Sequence, residues 1–394
     1  MKELNFGVNY TPSKNWFYSW LNIDLHSIDD DFAAISNIGC NHIRLHLIWQ
    51  FFQPNANYVE PKLLTDLNSV LDLASKHGLQ VEITPLNGWM SGFWFLPNWI
   101  KDRHIITDPA VIDAEIYYFS ELQKAIGNHP ALMGIDIGNE INMFGWLKKF
   151  TIEEGDEWLI KLTDKLNQLF PNKKHVLGVD HQPWFRDDYF SRKTLANVGY
   201  MTSLHTWGIF TGAQKYGLYS DECLGLSEFN IELANAYSEN PDRKVWIQEF
   251  GVTQAWTDEI VEEKYLRETI LRAYRSENLF GVTWWCSHDI SREFTEFGEG
   301  EYSLGLFDVN NNPKPFAKAF KILLNEMKNG LSAPKLKTGT AIIIKENESF
   351  NAWKYGEAFS NFIKNGEHVK FVLQSKSQDK TYLKNRNINR LIEL

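Results

Sequence analysis

Two glutamates at the ends of apolar runs give this sequence its chemistry. The segment GIDIGNE places Asn139 and Glu140 just past an apolar strand, and KVWIQEF places Glu249 at the tip of another. If these are the fourth and seventh strands of a parallel eightfold barrel, they lie across its mouth from each other and their carboxyl groups face over one cleft. Glycoside hydrolysis needs that arrangement: one acid protonates the leaving oxygen while the other stabilises or attacks the anomeric carbon. The plainer alternative is that Glu140 caps a helix and Glu249 meets an arginine. Each acid has such a local excuse, but both together at these two strands do not. The 15 tryptophans, within an aromatic content of 14%, supply flat apolar rings of the kind that stack on sugar faces.

Other chemistries fit less well. Metal-dependent hydrolysis on a barrel calls for an HxH pair on the first strand, and the first run, NFGVNY, has no histidine. His42 and His46 flank the second run at a spacing of four, about 13 Å apart in an extended strand. No metal and no other cofactor is expected. A sugar-binding barrel that had lost catalysis would keep the tryptophans and lose an acid, whereas both acids are present. A serine hydrolase lacks its GxSxG elbow here, and no cysteine sits beside an obvious base.

The elements that must position the acids alternate along the chain. Eight short apolar runs recur, at Asn5–Tyr10, His42–Leu47, Gln80–Pro85, Leu132–Ile137, His175–Val179, Gly199–His205, Lys244–Glu249 and Gly281–Cys286, with helical-period segments between them. In Ser27–Gly39, Ile28, Phe32, Ile35 and Ile38 recur at helical spacing; in Pro61–Gly78, Leu64, Leu67, Val70, Leu71 and Ala74 share a face. A glycine ends each. This alternation predicts an α/β fold, a (β/α)8 TIM barrel over residues 1–330. An open doubly wound sheet is the structural alternative, but no GxGxxG turn follows Asn5–Tyr10. Residues 331–394 read as a small C-terminal α/β appendage with strands Thr340–Ile344 and Val369–Leu373 and a helix over Trp353–Ile363. So short a segment cannot bury a core of its own, so it packs on the barrel or on another subunit, and the second option implies a homo-oligomer.

Composition bounds the partners. The chain has 394 residues, of which 43% are hydrophobic and 23% charged, and 40 basic against 50 acidic side chains leave a net charge of -10. That charge repels a polyphosphate backbone, so nucleic acid is not an expected partner. No apolar stretch reaches the roughly 18 residues of a membrane helix, and the N-terminus lacks the apolar core of a secretory signal. Cys40, Cys223 and Cys286 are odd in number and far apart, so they read as reduced buried thiols in a cytoplasmic protein.

The Asn139-Glu140 pair and Glu249 resemble the retaining β-glycosidases of glycoside hydrolase clan A, most closely glycoside hydrolase family 5. The segments GVNYTPSKNWFYSW, HIRLHLIWQFFQPN and LGLFDVNNNPKP are most similar to subfamily 18, exo-acting β-mannosidases that cleave the mannose-β-1,4-N-acetylglucosamine linkage. The resemblance implies that Glu140 is the general acid/base and Glu249 the nucleophile. It further implies that Asn139 bonds the sugar 2-hydroxyl, that Arg44 sits beside Glu249 and favours its ionised form, and that His205 lines the subsite of the cleaved sugar. The sequence departs from the family's pattern twice: Trp207 stands where tyrosine is common, and Asn87 where many members carry histidine. An indole has no phenol hydroxyl, so the bond to the nucleophile is expected to be absent or supplied from elsewhere. In VTWWCSH, Trp285 is expected to be the platform under the cleaved sugar, with Trp284 on the opposite face. Trp89, Trp94 and Trp99, in NGWMSGFWFLPNW, form a wall or lid of the cleft or pack within their own loop. The expected substrate is a short β-linked oligosaccharide cut from its end; the alternative is an endo-acting β-mannanase or β-glucanase with an open cleft.

Overall fold

The computed structural model describes residues 5–394. Seven parallel strands curl side by side in the order Leu132–Ile135, Gln80–Asn87, His42–Ile48, Asn5–Tyr10, Leu279–Trp284, Val245–Phe250, Thr202–His205. These strands are buried on both faces, as apolar runs covered by helices must be. The fold is the (β/α)8 barrel. The eighth stave, His175–Val179, does not form a regular ladder. It joins one neighbour through Val176 N to Ile135 O (3.0 Å) and Ile137 N to Val176 O (2.9 Å), and the other side through Tyr200 N to His175 O (2.8 Å). The reason is local: the Gly178 amide donates to the Asp136 carboxylate (2.7 Å) rather than to a strand carbonyl. A Cβ on Gly178 would lie 3.0 Å from both Arg44 Nη2 and His205 Nε2, so a side chain there would press on the barrel's polar centre.

The helices follow from the apolar spacing and their caps. Leu25–Asn37 is capped by Asp24, which accepts from the amides of His26 and Ser27, and it buries Ile28, Phe32 and Ile35. Pro61–Lys76 starts on its proline and buries Leu67, Val70, Leu71 and Ala74. Gly39 (φ +101°) and Gly78 (φ +70°) then turn the chain through left-handed backbone into the next strand. At the end of the last strand, Trp284 points outward from the barrel, fully buried against Phe250 and Phe316, and donates to Leu304 O (3.0 Å). Its neighbour Trp285 faces the mouth, as strand alternation requires.

After the helix Pro315–Lys328 the chain forms a second parallel sheet in the order Glu367–Leu373, Lys337–Ile344, Arg390–Ile392, with the helix Ala352–Lys364 between two of its strands. The edge strand Arg390–Ile392 and the helix Lys380–Asn385 carry too few apolar residues to announce themselves in the sequence. Ile342, Ile344, Val369 and Phe371 join the barrel's own apolar core. Phe229, on the barrel helix Leu226–Tyr237, meets Phe371 edge-on at 5.4 Å and Phe359 at 5.8 Å. Two buried acids of that helix face the tail: Glu228 pairs with Arg275 (2.9 Å), and Glu232 accepts from Ser276 (3.1 Å) and lies 3.8 Å from Arg386.

None of the residues lining the cleft described below lies beyond Leu304, so the tail is expected to govern stability rather than chemistry. Phe371→Ala should cost about 3–5 kcal/mol of stability and lower the urea midpoint. The turnover of the folded fraction should stay close to the parent's, as active-site titration alongside the denaturation curve will show.

Candidate active site

Residues from six staves meet at the barrel mouth. Glu140 follows Leu132–Ile135 in left-handed backbone (φ 46°, ψ 50°), a conformation that costs a non-glycine residue on the order of 1–2 kcal/mol and clusters at functional sites. Its Oε1 lies 3.0 Å from His205 Nδ1, and its Oε2 accepts from Trp89 Nε1 at 3.3 Å. Across the mouth, Glu249 accepts from Arg44 Nη1 (3.0 Å) and from Trp207 Nε1 (3.0 Å). His205 is the register partner of Glu249 in adjacent strands, so its Nδ1 also stands 3.3 Å from Glu249 Oε2. Ligating atoms of Glu140, His205 and Glu249 all lie within 4.8 Å of one another. Carboxyl oxygens this near place the pair on the side of the shorter of the two separations that glycosidases use, the one at which one carboxyl attacks the anomeric carbon and the other handles the proton.

Arg44 is fully buried and holds this constellation together. Its Nε and Nη2 donate to Asp136 Oδ2 (3.0 and 2.7 Å), Nη1 to Asn9 Oδ1 (3.0 Å) and to Glu249, and Nη2 to Asn139 Oδ1 (2.8 Å). Parallel register places Asn9 beside Arg44. Asn139 also donates to Trp89 O (2.9 Å), which leaves one amide proton and one oxygen lone pair for a ligand. The trio Glu140, His205 and Glu249 has the spacing of a cation site, but the guanidinium already occupies the neighbourhood with positive charge and satisfies one oxygen of Glu249.

The two carboxyls are held at different proton affinities. Burial, reinforced by the nearby Asp180 carboxylate, pushes Glu140 up to about 8, against the pull of Arg44 and the Trp89 N–H. Burial also raises Glu249, as does Glu140, but His205, Arg44 and the Trp207 N–H oppose it. Burial lowers the proton affinity of His205, against the opposing pull of Glu249. The separation therefore has a second source besides Arg44. Asp180 is fixed by Asn142 Nδ2 (2.9 Å) and the Gln182 amide (2.7 Å) and acts on Glu140.

The structure brings Glu140, Glu249, Arg44, Asn139, His205, Trp89, Trp207 and Trp285 into one group and corrects two expectations. Trp207 does not leave the nucleophile candidate short of a donor, because its indole N–H takes the place of the phenol hydroxyl. Asn87 is fully buried between staves and does not line the cleft, and neither amide atom has a hydrogen-bond partner among the described residues. Of the other loop tryptophans, Trp94 packs at a tilt against Trp89 (4.7 Å), and Trp99 packs on Trp49 and donates to Gln53 O (2.9 Å); neither lines the cleft. The cleft holds about 500 Å³, and two of its rim tryptophans, Trp146 and Trp256, are 58% and 57% exposed. Sequence reasoning passed over these two, along with Asn9, Asp136 and Asp180. Asp136 alone carried a local signal, an acid inside the apolar run GIDIG.

A curled parallel barrel with two facing carboxyls at its C-terminal mouth defines a retaining glycoside hydrolase. The model of the family described as Cellulase (glycosyl hydrolase family 5) matches residues 2–291, and the chain belongs to that family. A GH5_18 protein from Streptomyces cattleya, in complex with Manb1-4GlcNAc, is 30% identical with a TM-score of 0.94, over 99% of this chain and 99% of that one. A GH5_18 protein from Bifidobacterium longum subsp. longum, also in complex with Manb1-4GlcNAc, is 30% identical with a TM-score of 0.92, over 99% and 96% of the two chains. An exo-beta-1,4-mannosidase from Opitutaceae bacterium strain TAV5 shares the fold at 21% identity, with a TM-score of 0.85 over 99% and 72%. No curated protein matches the chain.

A proton donor raised to about 8 opposite a carboxylate that must ionise predicts a bell-shaped dependence of kcat/KM on pH, its alkaline limb set by Glu140. Trp207→Phe removes a donor that lowers Glu249, so its acidic limb should move to higher pH. A roughly tenfold fall in kcat at the optimum should accompany the shift. Steady-state rates measured from pH 4 to 9 on both proteins check this.

Proposed function

We propose that the protein is an exo-acting β-mannosidase that removes single mannose units from short β-linked oligosaccharides such as mannose-β-1,4-N-acetylglucosamine. In this reading Glu249 attacks the anomeric carbon and Glu140 protonates the leaving oxygen. Glu140, now a base, then activates the water that releases the sugar from Glu249. Arg44 and Trp207 hold the attacking carboxylate ionised and aimed, Asn139 offers its remaining amide proton to the sugar 2-hydroxyl, and Trp285 carries the ring. The observation behind the sugar assignment is the 30% identity along nearly the whole of two GH5_18 structures in complex with Manb1-4GlcNAc. A cleft of about 500 Å³ supports it, since pockets of ~300–1,000 Å³ enclose ligands of that size. The three buried, unpaired cysteines suit a reducing cytoplasm, and no helix among the described residues is long and apolar enough to cross a membrane.

Glu249→Ala should abolish turnover of activated and natural substrates alike. Glu140→Ala should retain the first step on an aryl glycoside whose leaving group needs no proton, and added azide should then restore turnover as a β-glycosyl azide. Substantial residual activity in Glu249→Ala would overturn the nucleophile assignment.

The substrate is tested with aryl β-mannoside, β-glucoside and β-galactoside beside mannosyl-β-1,4-N-acetylglucosamine and mannan. Release of mannose from the disaccharide with mannan left uncut supports the reading. Rapid internal cutting of mannan, or a clear preference for glucosides, replaces it with the endo-acting alternative.

A further inference from the structure

The turn Glu299–Ser303, which follows the last barrel strand, carries two acids to the cleft, and they are treated differently. Glu299 lies at the surface and pairs with Arg292 (3.0 Å). Glu301 is half-buried, and among the described residues it pairs with no lysine, arginine or histidine. The hydroxyl of Ser91, at the tip of the antiparallel hairpin Trp89–Met90 and Phe93–Trp94, stands near its carboxyl and holds its proton affinity down, whereas burial pushes it up more strongly. Both Ser91 and Glu301 line the cleft, and Glu140 is close enough to Glu301 to raise its carboxyl further.

Both loops are rigidly held. Thr253 Oγ1 donates to Gly300 O (2.6 Å) and bonds Ser303 Oγ (3.0 Å), and the Trp256 ring covers Gly300 so closely that a Cβ there would lie 2.9 Å from it. On the hairpin side, Phe93 meets Phe297 at 4.9 Å and Trp16 meets Phe297 at 4.8 Å, which ties the hairpin to the loop that carries Glu301. The two loops therefore join across one end of the cleft, with Ser91 and Glu301 at the seam.

A carboxylate withdrawn from bulk water without a cation is costly, and folding does not require one at this place. The two oxygens of Glu301 offer roughly four acceptor positions, and apart from the nearby Ser91 they face a cleft of a size for a sugar. Charge-assisted O–H···O⁻ bonds to neighbouring ring hydroxyls would satisfy them. We propose that Glu301, steadied by Ser91, grips the hydroxyls of the terminal sugar and closes that end of the cleft, so that substrates enter by a chain end and leave one unit at a time. This rests on the glycosidase reading above but not on the choice of mannose.

The test uses the aryl β-glycoside that the wild-type protein hydrolyses best, together with its analogues lacking one ring hydroxyl each. Glu301→Ala should lower kcat/KM on the parent glycoside by roughly ten- to a hundredfold. The wild type should discriminate sharply against at least one deoxy analogue, and Glu301→Ala should lose that discrimination, with Ser91→Ala showing a weaker form of the same pattern. The melting temperature of Glu301→Ala should be equal to or above that of the parent, because a partly buried carboxyl without a cationic partner has been removed. A kcat/KM within threefold of wild type overturns the proposal. So does a loss of equal size on the parent glycoside and on every deoxy analogue, which would mark a structural role. Because the substrate is chosen by the enzyme's own preference, a glucoside-preferring enzyme would overturn the mannosidase reading and leave this measurement decisive.

Discussion

One buried cation organises this active site. Arg44 is fully enclosed in the barrel, where an unpaired charge would be prohibitive, and it survives there because four side chains converge on its guanidinium: Asp136, Asn9, Asn139 and Glu249. The planar fork offers its donors in fixed directions, so satisfying it also fixes where Asn139 and Glu249 point. Removing a partner from such a pair costs several kcal/mol, chiefly because the surviving charge is left without compensation. The demand that holds the barrel's polar centre together thus also aims Asn139 and Glu249 at the cleft. Glu82, in the same interior, shows the converse case: it has no hydrogen-bond partner among the described residues, and burial, together with repulsion from Asp136, pushes its carboxyl well above the ordinary range so that it stays protonated.

The division of labour between the two glutamates follows from what each one touches. Glu249 accepts two N–H donors, one from a permanent cation, and can therefore carry charge inside the protein. Glu140 has a single weak donor and an acid nearby, and keeps its proton. His205, placed between them, stands within 3.0 Å of one carboxyl and 3.3 Å of the other and so fixes their spacing. The replacement of a phenol by the Trp207 indole preserves the donor while altering the shape of the surrounding wall.

Around this centre the loops are stiffened by aromatic contacts rather than by regular structure. Trp16, Phe93, Phe95 and Phe297 knit three separate loops into one wall, and edge-to-face ring pairs give such a wall a defined geometry. The C-terminal sheet acts at a distance: it covers the helix Leu226–Tyr237, which would otherwise expose Phe229 and leave Glu228 and Glu232 without part of their surroundings. That helix backs the strand carrying Glu249, so covering it supports the mouth without contributing a residue to the cleft.

How much of this was legible in the sequence depended on whether the governing interaction was local. Helical spacing in Ile28, Phe32 and Ile35, the glycine stops at Gly39 and Gly78, and apolar runs ending in Asn139-Glu140 and Glu249 are short-range patterns, and they sufficed for the barrel and for the two acids. The alternation of a strand likewise separated Trp284 from Trp285. Tertiary structure alone decided the rest. Asn9, Asp136 and Asp180 lie up to 92 residues from the groups they serve, and nothing short-range shows which groups those are until the staves close. Asn87 was misjudged because the register shift between His46 and Ile48, its partner across the strands, turns on how neighbouring staves pack. The stave His175–Val179 lost its ladder because Asp136, from its neighbour, captured the Gly178 amide. A hydrogen bond to Glu249 could be assigned to Trp207 only from the distance between an indole nitrogen and a carboxylate 42 residues away, and spacing along a chain does not encode that distance.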